Sequence, residues 1–386
     1  MKKNFFMLAA TAALFAACAE TELVNEVNVE GTPQEIGFST YAQKATRATE
    51  NNYADYAWEL SNHHTGFYVW ASKNIAPDSW VEVYAADAPG AVTYSTVWTA
   101  NPLKYWDKAA NSYEFYAAAP LGVAWKYQNA TATPNDGSTG YLTLDNFALN
   151  GTAEANLADA TKDTHDSWQG KGDIDLMIAA DCKIPRTHYF DTTLGVPLKD
   201  VTSVNLDFIH ILSRLNIAVK TDSKATIVVN ALDVHKLNHA GSFDESKVSG
   251  DNLMKGTNAR WEPTAVDANY VWKAAKTPLT LVKDDAVYTH EYLVLPQLQA
   301  NKNQTVNQGV APTNDAYIYI EYTVDGEVFK TYYGLAQVFG VAKDADLAFN
   351  EGWQNTLTIT ISPDVITFAA KTSEWRTNLN EGQDID

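Results

Sequence analysis

The chain has 386 residues, 46% of them hydrophobic and only 19% charged, with 11 Trp, 20 Tyr and 14 Phe. That length admits two domains with separate cores, and the aromatic-rich, charge-poor balance suits half-buried sheets better than disordered segments or long solvated helices. A formal net charge of -19 argues against nucleic acid and anionic membrane surfaces, both of which require a basic patch on the partner protein.

At the N-terminus, Lys2 and Lys3 precede the apolar run Phe5–Ala17, about half the length that a bilayer span requires. Residues 1–17 read as a signal peptide. The small pair Ala16-Ala17 directly before Cys18 fits a lipoprotein signal, in which the thiol of Cys18 is acylated and becomes the new N-terminus; Phe15 is a mild departure from that pattern. An ordinary secretory signal followed by a chance cysteine is the alternative. Three acyl chains, at about 0.8 kcal/mol per buried CH2, would hold such a precursor on the membrane until the chain is cut. With Cys18 modified, Cys182 is left as a buried thiol with no redox role.

The first strand expected is "IGFST", Ile36 to Thr40, with Ile36, Phe38 and Thr40 on one face, followed by the lone Arg47. Further strand-length runs are Gly66–Ser72, Tyr113–Pro120, Gly140–Phe147 and Asp173–Ala180. The second half continues with Val201–Thr221, Ala225–Val234, Glu291–Gln297 and Tyr317–Gly334, the last broken by the hairpin signal Asp325-Gly326. Loop composition marks Ala130–Gly140, Asp191–Pro197 and the polar stretch Asn238–Ala259. The expected organisation is all-β, with two β-sandwiches in tandem and a boundary near Lys199, giving residues 48–199 and 200–386. No later run is long enough to span a membrane, and no repeat of fixed period is visible.

Candidates for chemistry are sparse. His235 and His239 have the i, i+4 spacing of a helical zinc pair but lack a third ligand at matching spacing, and His63-His64 reads as an exposed loop pair. His210 and Arg214 sit in an apolar strand run, where a buried, hydrogen-bonded histidine is the ordinary outcome. Asp173 and Asp175 alternate with Ile174 and Leu176, which puts both acids on the wet face of a strand. There is no Walker loop, Gly-x-Ser-x-Gly elbow, EF-hand or Cys-x-x-Cys pair. No enzyme, cofactor or metal site is expected.

Several stretches taken in order resemble the fimbrillin family, subunits of the type V pili of Gram-negative anaerobes. They are the signal ending at Cys18, "IGFSTYAQKATRA", "DIDLMIAA", "VNLDFIHILSRL", "EYLVLPQ" and the ending Phe349–Trp375. Glu20 and Glu22 also resemble the surface-export signal of some lipoproteins in such organisms. The resemblance implies two transthyretin-like Greek-key sandwiches, an outer-membrane lipoprotein precursor carrying palmitate, and a mature form in fimbriae on the cell surface. It also implies cleavage by a trypsin-like, Arg-specific protease at Arg47-Ala48, which removes residues 18–47, followed by polymerisation with other pilin subunits through strand exchange.

On that reading, the strand carrying Ile36 and Phe38 closes one sandwich until proteolysis, and its loss exposes an apolar groove between strand edges. The candidate donor is residues 364–375, where Ile366, Phe368 and Ala370 copy the Ile36, Phe38 pattern. Alternatively, those residues are the last strand of their own domain. Lys44 is a second possible cut site. A tip or anchor subunit, or a glycan-binding lipoprotein using Trp80, Trp98 or Trp168, is the rival function.

Overall fold

Alternation of apolar and polar residues at period two dictates nearly every element of this chain, and where the alternation lapses into continuous apolar runs the strand is buried on both faces. The computed structural model describes residues 34–42, 66–129, 140–149, 175–198, 201–247, 259–265, 271–273, 278–283, 287–300, 310–312 and 315–374. Residues Glu35–Asp386 form one compact unit; of the other unit, Met1–Gln34, only Gln34 is among the described residues.

In chain order, β1 is Phe38–Ala42, β2 Phe67–Ala76, β3 Ser79–Tyr84, β4 Gly90–Tyr94, β5 Trp98–Asn101 and β6 Ser112–Ala119. Then come β7 Lys126–Asn129, β8 Gly140–Ala148, β9 Met177–Pro185, and the two-residue strands β10 Phe190–Asp191 and β11 Val196–Pro197. β12 is Val204–His210, β13 Ser213–Lys220, β14 Ile227–His235, β15 Ala240–Asp244, β16 Trp261–Ala265, β17 Val271–Lys273 and β18 Leu279–Leu281. β19 Val287–Val294, β20 Gln297–Ala300, β21 Tyr317–Val324, β22 Glu327–Gly334, β23 Asp346–Phe349, β24 Trp353–Ile361 and β25 Ile366–Glu374 complete the set. The helical content among the described residues includes one turn at Leu335–Val338.

The first sheet runs β3-β2-β4-β5-β1-β12-β9-β6, and β6 pairs again with β2, so seven of its strands close into a hydrogen-bonded ring with β3 as a branch. β12 shows the logic: Val204, Leu206, Phe208 and His210 are buried while Asn205, Asp207 and Ile209 face outward. Phe67, Val69 and Ala71 of β2, Phe115, Ala117 and Ala119 of β6, and Met177 and Ala179 of β9 fill the same core.

A second sheet, β16-β15-β8-β7, supplies the wall for the outer face of the ring. Trp70, Tyr116, Ala118 and Ile178 meet Tyr127, Leu142, Leu144, Phe243 and Trp261 in one apolar cluster. β15 lies inside the polar stretch Asn238–Ala259 that composition marks as a loop; Gly241 and Phe243 pair there with β8 and β16. Long-range pairing overrides the polar composition. The third core lies between the sheets β19-β13-β24-β25 and β17-β14-β21-β22 and is filled by Leu215, Ile217, Val234, Ile318, Ile320, Leu357 and Ile359, among others. At the turn of the β21–β22 hairpin, Asp325 and Gly326 both have positive φ, 47° and 94°, as a two-residue turn of this kind requires.

The boundary expected near Lys199 does not divide the sheets, because β12 sits in the ring and β15 and β16 sit beside β8. The single strand run expected over Val201–Thr221 is two strands: β12 ends at His210, and β13 starts at Ser213 in a different sheet. Cys182 is half-buried rather than enclosed, with its thiol 3.4 Å from the Asn205 carbonyl.

Candidate functional site

β1 is a stave of the ring. It pairs in parallel with β12 over five positions, Phe38↔Val204 to Ala42↔Phe208, and antiparallel with β5 at the single position Phe38↔Trp98. Just upstream, Ile36 donates its amide to the Lys104 carbonyl at 2.9 Å, and Gly37 accepts from the Val204 amide at 2.8 Å. Ile36, Phe38 and Thr40 point inward and are 1%, 4% and 3% exposed, so the period-two face expected from the sequence is the face that fills the ring. Ser39 is on the other face, with its hydroxyl 3.5 Å from the Val204 carbonyl and 3.3 Å from Asn205 Oδ1.

Phe38 occupies an aromatic box. Its ring centroid lies 5.9 Å from Phe115 and 6.3 Å from Phe67, both edge-on, and 6.4 Å from Tyr84. Phe67 in turn touches Trp98 and Phe208. Tyr84 can lie against this box because Gly90 leaves it room: a Cβ there would come within 2.6 Å of the Tyr84 ring. Burial pushes the Tyr84 phenol well above the ordinary tyrosine range, and Glu35 adds to the shift. Two hydroxyls in this region, Thr40 Oγ1 and Tyr84 OH, are buried without a hydrogen-bond partner among the described residues.

Cys18, Arg47 and Ala48 lie outside the described residues; in sequence, Arg47 falls between the end of β1 at Ala42 and the start of β2 at Phe67. The candidate donor segment forms β25, at the edge of its sheet and paired antiparallel with β24 from Ile361↔Ile366 to Trp353↔Glu374. Ile366 and Phe368 are only half-buried against the third core, Phe368 meeting Tyr333 at 4.6 Å, and Ala370 is exposed. Ile366 and Phe368 thus lie on the side toward the third core with incomplete cover, while Ala370, expected on the same face, is exposed.

The remaining candidates are structural. His210 Nδ1 lies 2.7 Å from Asp175 Oδ2, and both side chains are buried. This overturns the wet face expected for Asp175: its side chain is buried, and the histidine supplies the hydrogen bond that a buried carboxylate needs. Arg214 is separated from that pair on β13 and reaches Gln354 at 3.4 Å. His235 stacks on Tyr317 at 4.7 Å, and burial, with Lys236 nearby, holds its pKa below the usual value. It ends a strand while His239 precedes the next, so the two do not share a helical face. Among the described residues no group of three or more His, Cys, Asp or Glu could hold a metal ion. Trp98 is buried in the ring and Trp80 is exposed, so these two do not form the sugar platform considered above. Trp168, His63, His64 and Asp173 lie outside the described residues.

A family model described as fimbrillin-like matches residues 46–375. The chain belongs to the fimbrillin-like family. Among solved structures, this fimbrillin-like chain is similar to a fimbrial protein from Bacteroides vulgatus, at 15% identity and TM-score 0.47, covering 89% of this chain and 100% of that one. A cell adhesion protein from Bacteroides uniformis gives 16% identity and TM-score 0.45, covering 89% and 99% respectively. The tip fimbrial protein of Porphyromonas gingivalis, with its C-terminus truncated, gives 11% and 0.37, covering 81% and 95%. A search of the curated proteins found no match.

Proposed function

We propose that this fimbrillin-like chain is a structural stalk subunit of an adhesive surface fimbrium and has no catalytic role. It is exported as an outer-membrane lipoprotein acylated on Cys18, cut at Arg47-Ala48 by a trypsin-like protease, and joined to its neighbours by strand exchange. The observation that carries the reading is the position of β1: a short stave, inserted between β5 and β12, whose only covalent path onward into the ring runs through Arg47.

Loss of β1 opens the ring between β5 and β12 and bares the box of Phe67, Tyr84 and Phe115. At about 1.5 to 3 kcal/mol per large apolar side chain, the burial of Ile36 and Phe38 contributes roughly 3 to 6 kcal/mol, and the vacated edges add unpaired backbone groups. Such a groove recruits an extended apolar strand. The donor we propose is β25 of a second copy, with Ile366 and Phe368 taking the places of Ile36 and Phe38. As an edge strand, β25 can leave its sheet without splitting it, and its inward side chains are half-covered where they now lie.

The test is to digest the purified precursor with a trypsin-like protease, sequence the new N-terminus, and look for SDS-resistant multimers. A start at Ala48 with multimers agrees with the stalk role. A start at Ala48 with protein that stays monomeric even when a peptide of residues 364–375 is supplied removes strand exchange by this segment. Retention of the uncut lipidated chain in assembled fimbriae would instead make it an anchor subunit.

A further inference from the structure

Resting on the strand-exchange reading, we infer that position 40 determines which strand the groove prefers: the site takes a small apolar side chain, and Thr40 is the built-in weak point of the resident strand. Thr40 stands opposite Leu206 in the β1–β12 register, on the face that carries Ile36 and Phe38. It is 3% exposed, and its hydroxyl has no hydrogen-bond partner among the described residues. A hydroxyl enclosed in this way loses its bonds to water and gains nothing in return, whereas an apolar group of the same shape carries no such penalty.

The defect is confined to one position of an otherwise well-seated strand. Ile36 and Phe38 are fully enclosed, and the backbone on the β12 side is paired at every position from Phe38 to Ala42. Aligning Ile366 with Ile36 and Phe368 with Phe38 places Ala370 where Thr40 stands. The substituted group is therefore the one with the unmet hydrogen bond, and alanine removes it. At position 37, where the donor brings Thr367 in place of glycine, an added Cβ would sit 3.2 Å from Ser203 Oγ, the end of an exposed serine side chain able to rotate away. In this register Ile366 and Phe368 repeat Ile36 and Phe38, the side chain added at position 37 meets a serine that can move, and at position 40 alanine removes the unmet hydroxyl.

The experiment uses the full-length precursor with Thr40→Val, Thr40→Ala and Thr40→Ser. The readouts are amide exchange of residues 36–42 before cleavage, and, after cleavage, binding of synthetic peptides of residues 364–375 with Ala370 or with Ala370→Thr. Thr40→Val is expected to raise amide protection about tenfold, the effect of relieving one unsatisfied buried hydroxyl, with Thr40→Ser giving no gain. The Ala370→Thr peptide is expected to bind about tenfold more weakly than its parent. Thr40→Ala lacks the hydroxyl without adding bulk; protection no better than wild type in both Thr40→Val and Thr40→Ala overturns the inference. So does equal binding of the two peptides. If Thr40→Val gains protection but neither peptide binds, strand exchange by β25 fails while the weak point at Thr40 stands; if peptides bind without any gain in protection, only the inference about Thr40 fails.

Discussion

Replacing Phe38 by alanine separates a strand that holds the precursor together from one that merely decorates it. Phe38 is 4% exposed and touches three aromatic rings at 5.9 to 6.4 Å, so the deletion leaves a cavity walled by Phe67, Tyr84 and Phe115, rigid side chains of three strands that cannot all collapse inward. Buried Phe→Ala substitutions cost about 3 to 5 kcal/mol, and the enclosed setting argues for the upper half of that range. With an m-value of about 3 kcal/mol/M, the urea midpoint of the precursor should fall by roughly 1.3 to 1.7 M, followed through the fluorescence of Trp98 and Trp106 in the same core. The discriminating arm is the cleaved protein. Once residues up to Arg47 have left, the Phe38→Ala and wild-type chains are identical and must unfold together. A precursor midpoint unmoved by the substitution, or a gap that persists after the N-terminal segment has been washed away, would refute the placement of Phe38 as a removable part of the ring.

The other predictions concern maturation, the wall sheet and pH. Arg47→Ala should leave a folded, lipidated precursor that forms no fimbriae, read by electron microscopy and by labelling with palmitate; normal fibres would move the cut elsewhere. Trp261→Phe removes the 2.7 Å bond from the indole N–H to the Ile211 carbonyl, a buried contact joining β16 to the segment after β12. It should cost about 1 to 3 kcal/mol in chemical denaturation. Glu351, ion-paired with Arg260 at 3.0 Å, has its pKa raised from 4.5 to about 7 by burial, with Arg260 opposing and Glu245 reinforcing the shift. Because the folded state holds this proton more tightly, its stabilising contribution is complete below about pH 4.5 and is lost as pH rises through about 7, roughly 3 kcal/mol in all. Glu351→Gln should therefore gain on wild type in denaturation midpoint from about pH 5 to pH 7 and level off above that, and a pH-independent difference would contradict the shift.

Local pattern carried much of the strand content. Phe67–Ala76, Ser112–Ala119 and the β21–β22 hairpin fall where alternation and turn residues put them, and the inward face of Ile36, Phe38 and Thr40 follows from period two alone. What local pattern does not hold is pairing at a distance. The ring closes because β2 meets β6 on one edge and β4 on the other, and β1 finds its main partner 166 residues away, as the Phe38↔Val204 pair shows. Nothing within either segment encodes that choice. Asp175 reads as solvated for the same reason: its partner His210 lies 35 residues on, at the end of a neighbouring strand. The unmet hydroxyl of Thr40 is legible only once burial is known, since threonine is an ordinary strand residue in sequence.

On the proposed reading, the same topology lets a strand be both deeply buried and removable. Several of the described strands are held to a sheet neighbour by a short turn, as β25 is to β24 through the Ser362–Val365 bond of 2.9 Å. Among the described residues β1 has no such partner: its sheet neighbours are β5 and β12, while the next described strand in sequence is β2, elsewhere in the ring. On the proposed reading its binding is that of a peptide ligand joined covalently to β2 by the chain between them. While the linker is whole, a strand that opens rebinds at an effective concentration on the order of millimolar, and the ring stays closed. A cut at Arg47 alters none of the contacts of Phe38 or Ile36, yet it removes the tether, and each opening then becomes a dissociation into dilute solution. A competing strand needs only a modest advantage to win under those conditions. One buried hydroxyl without a partner is an advantage of that size.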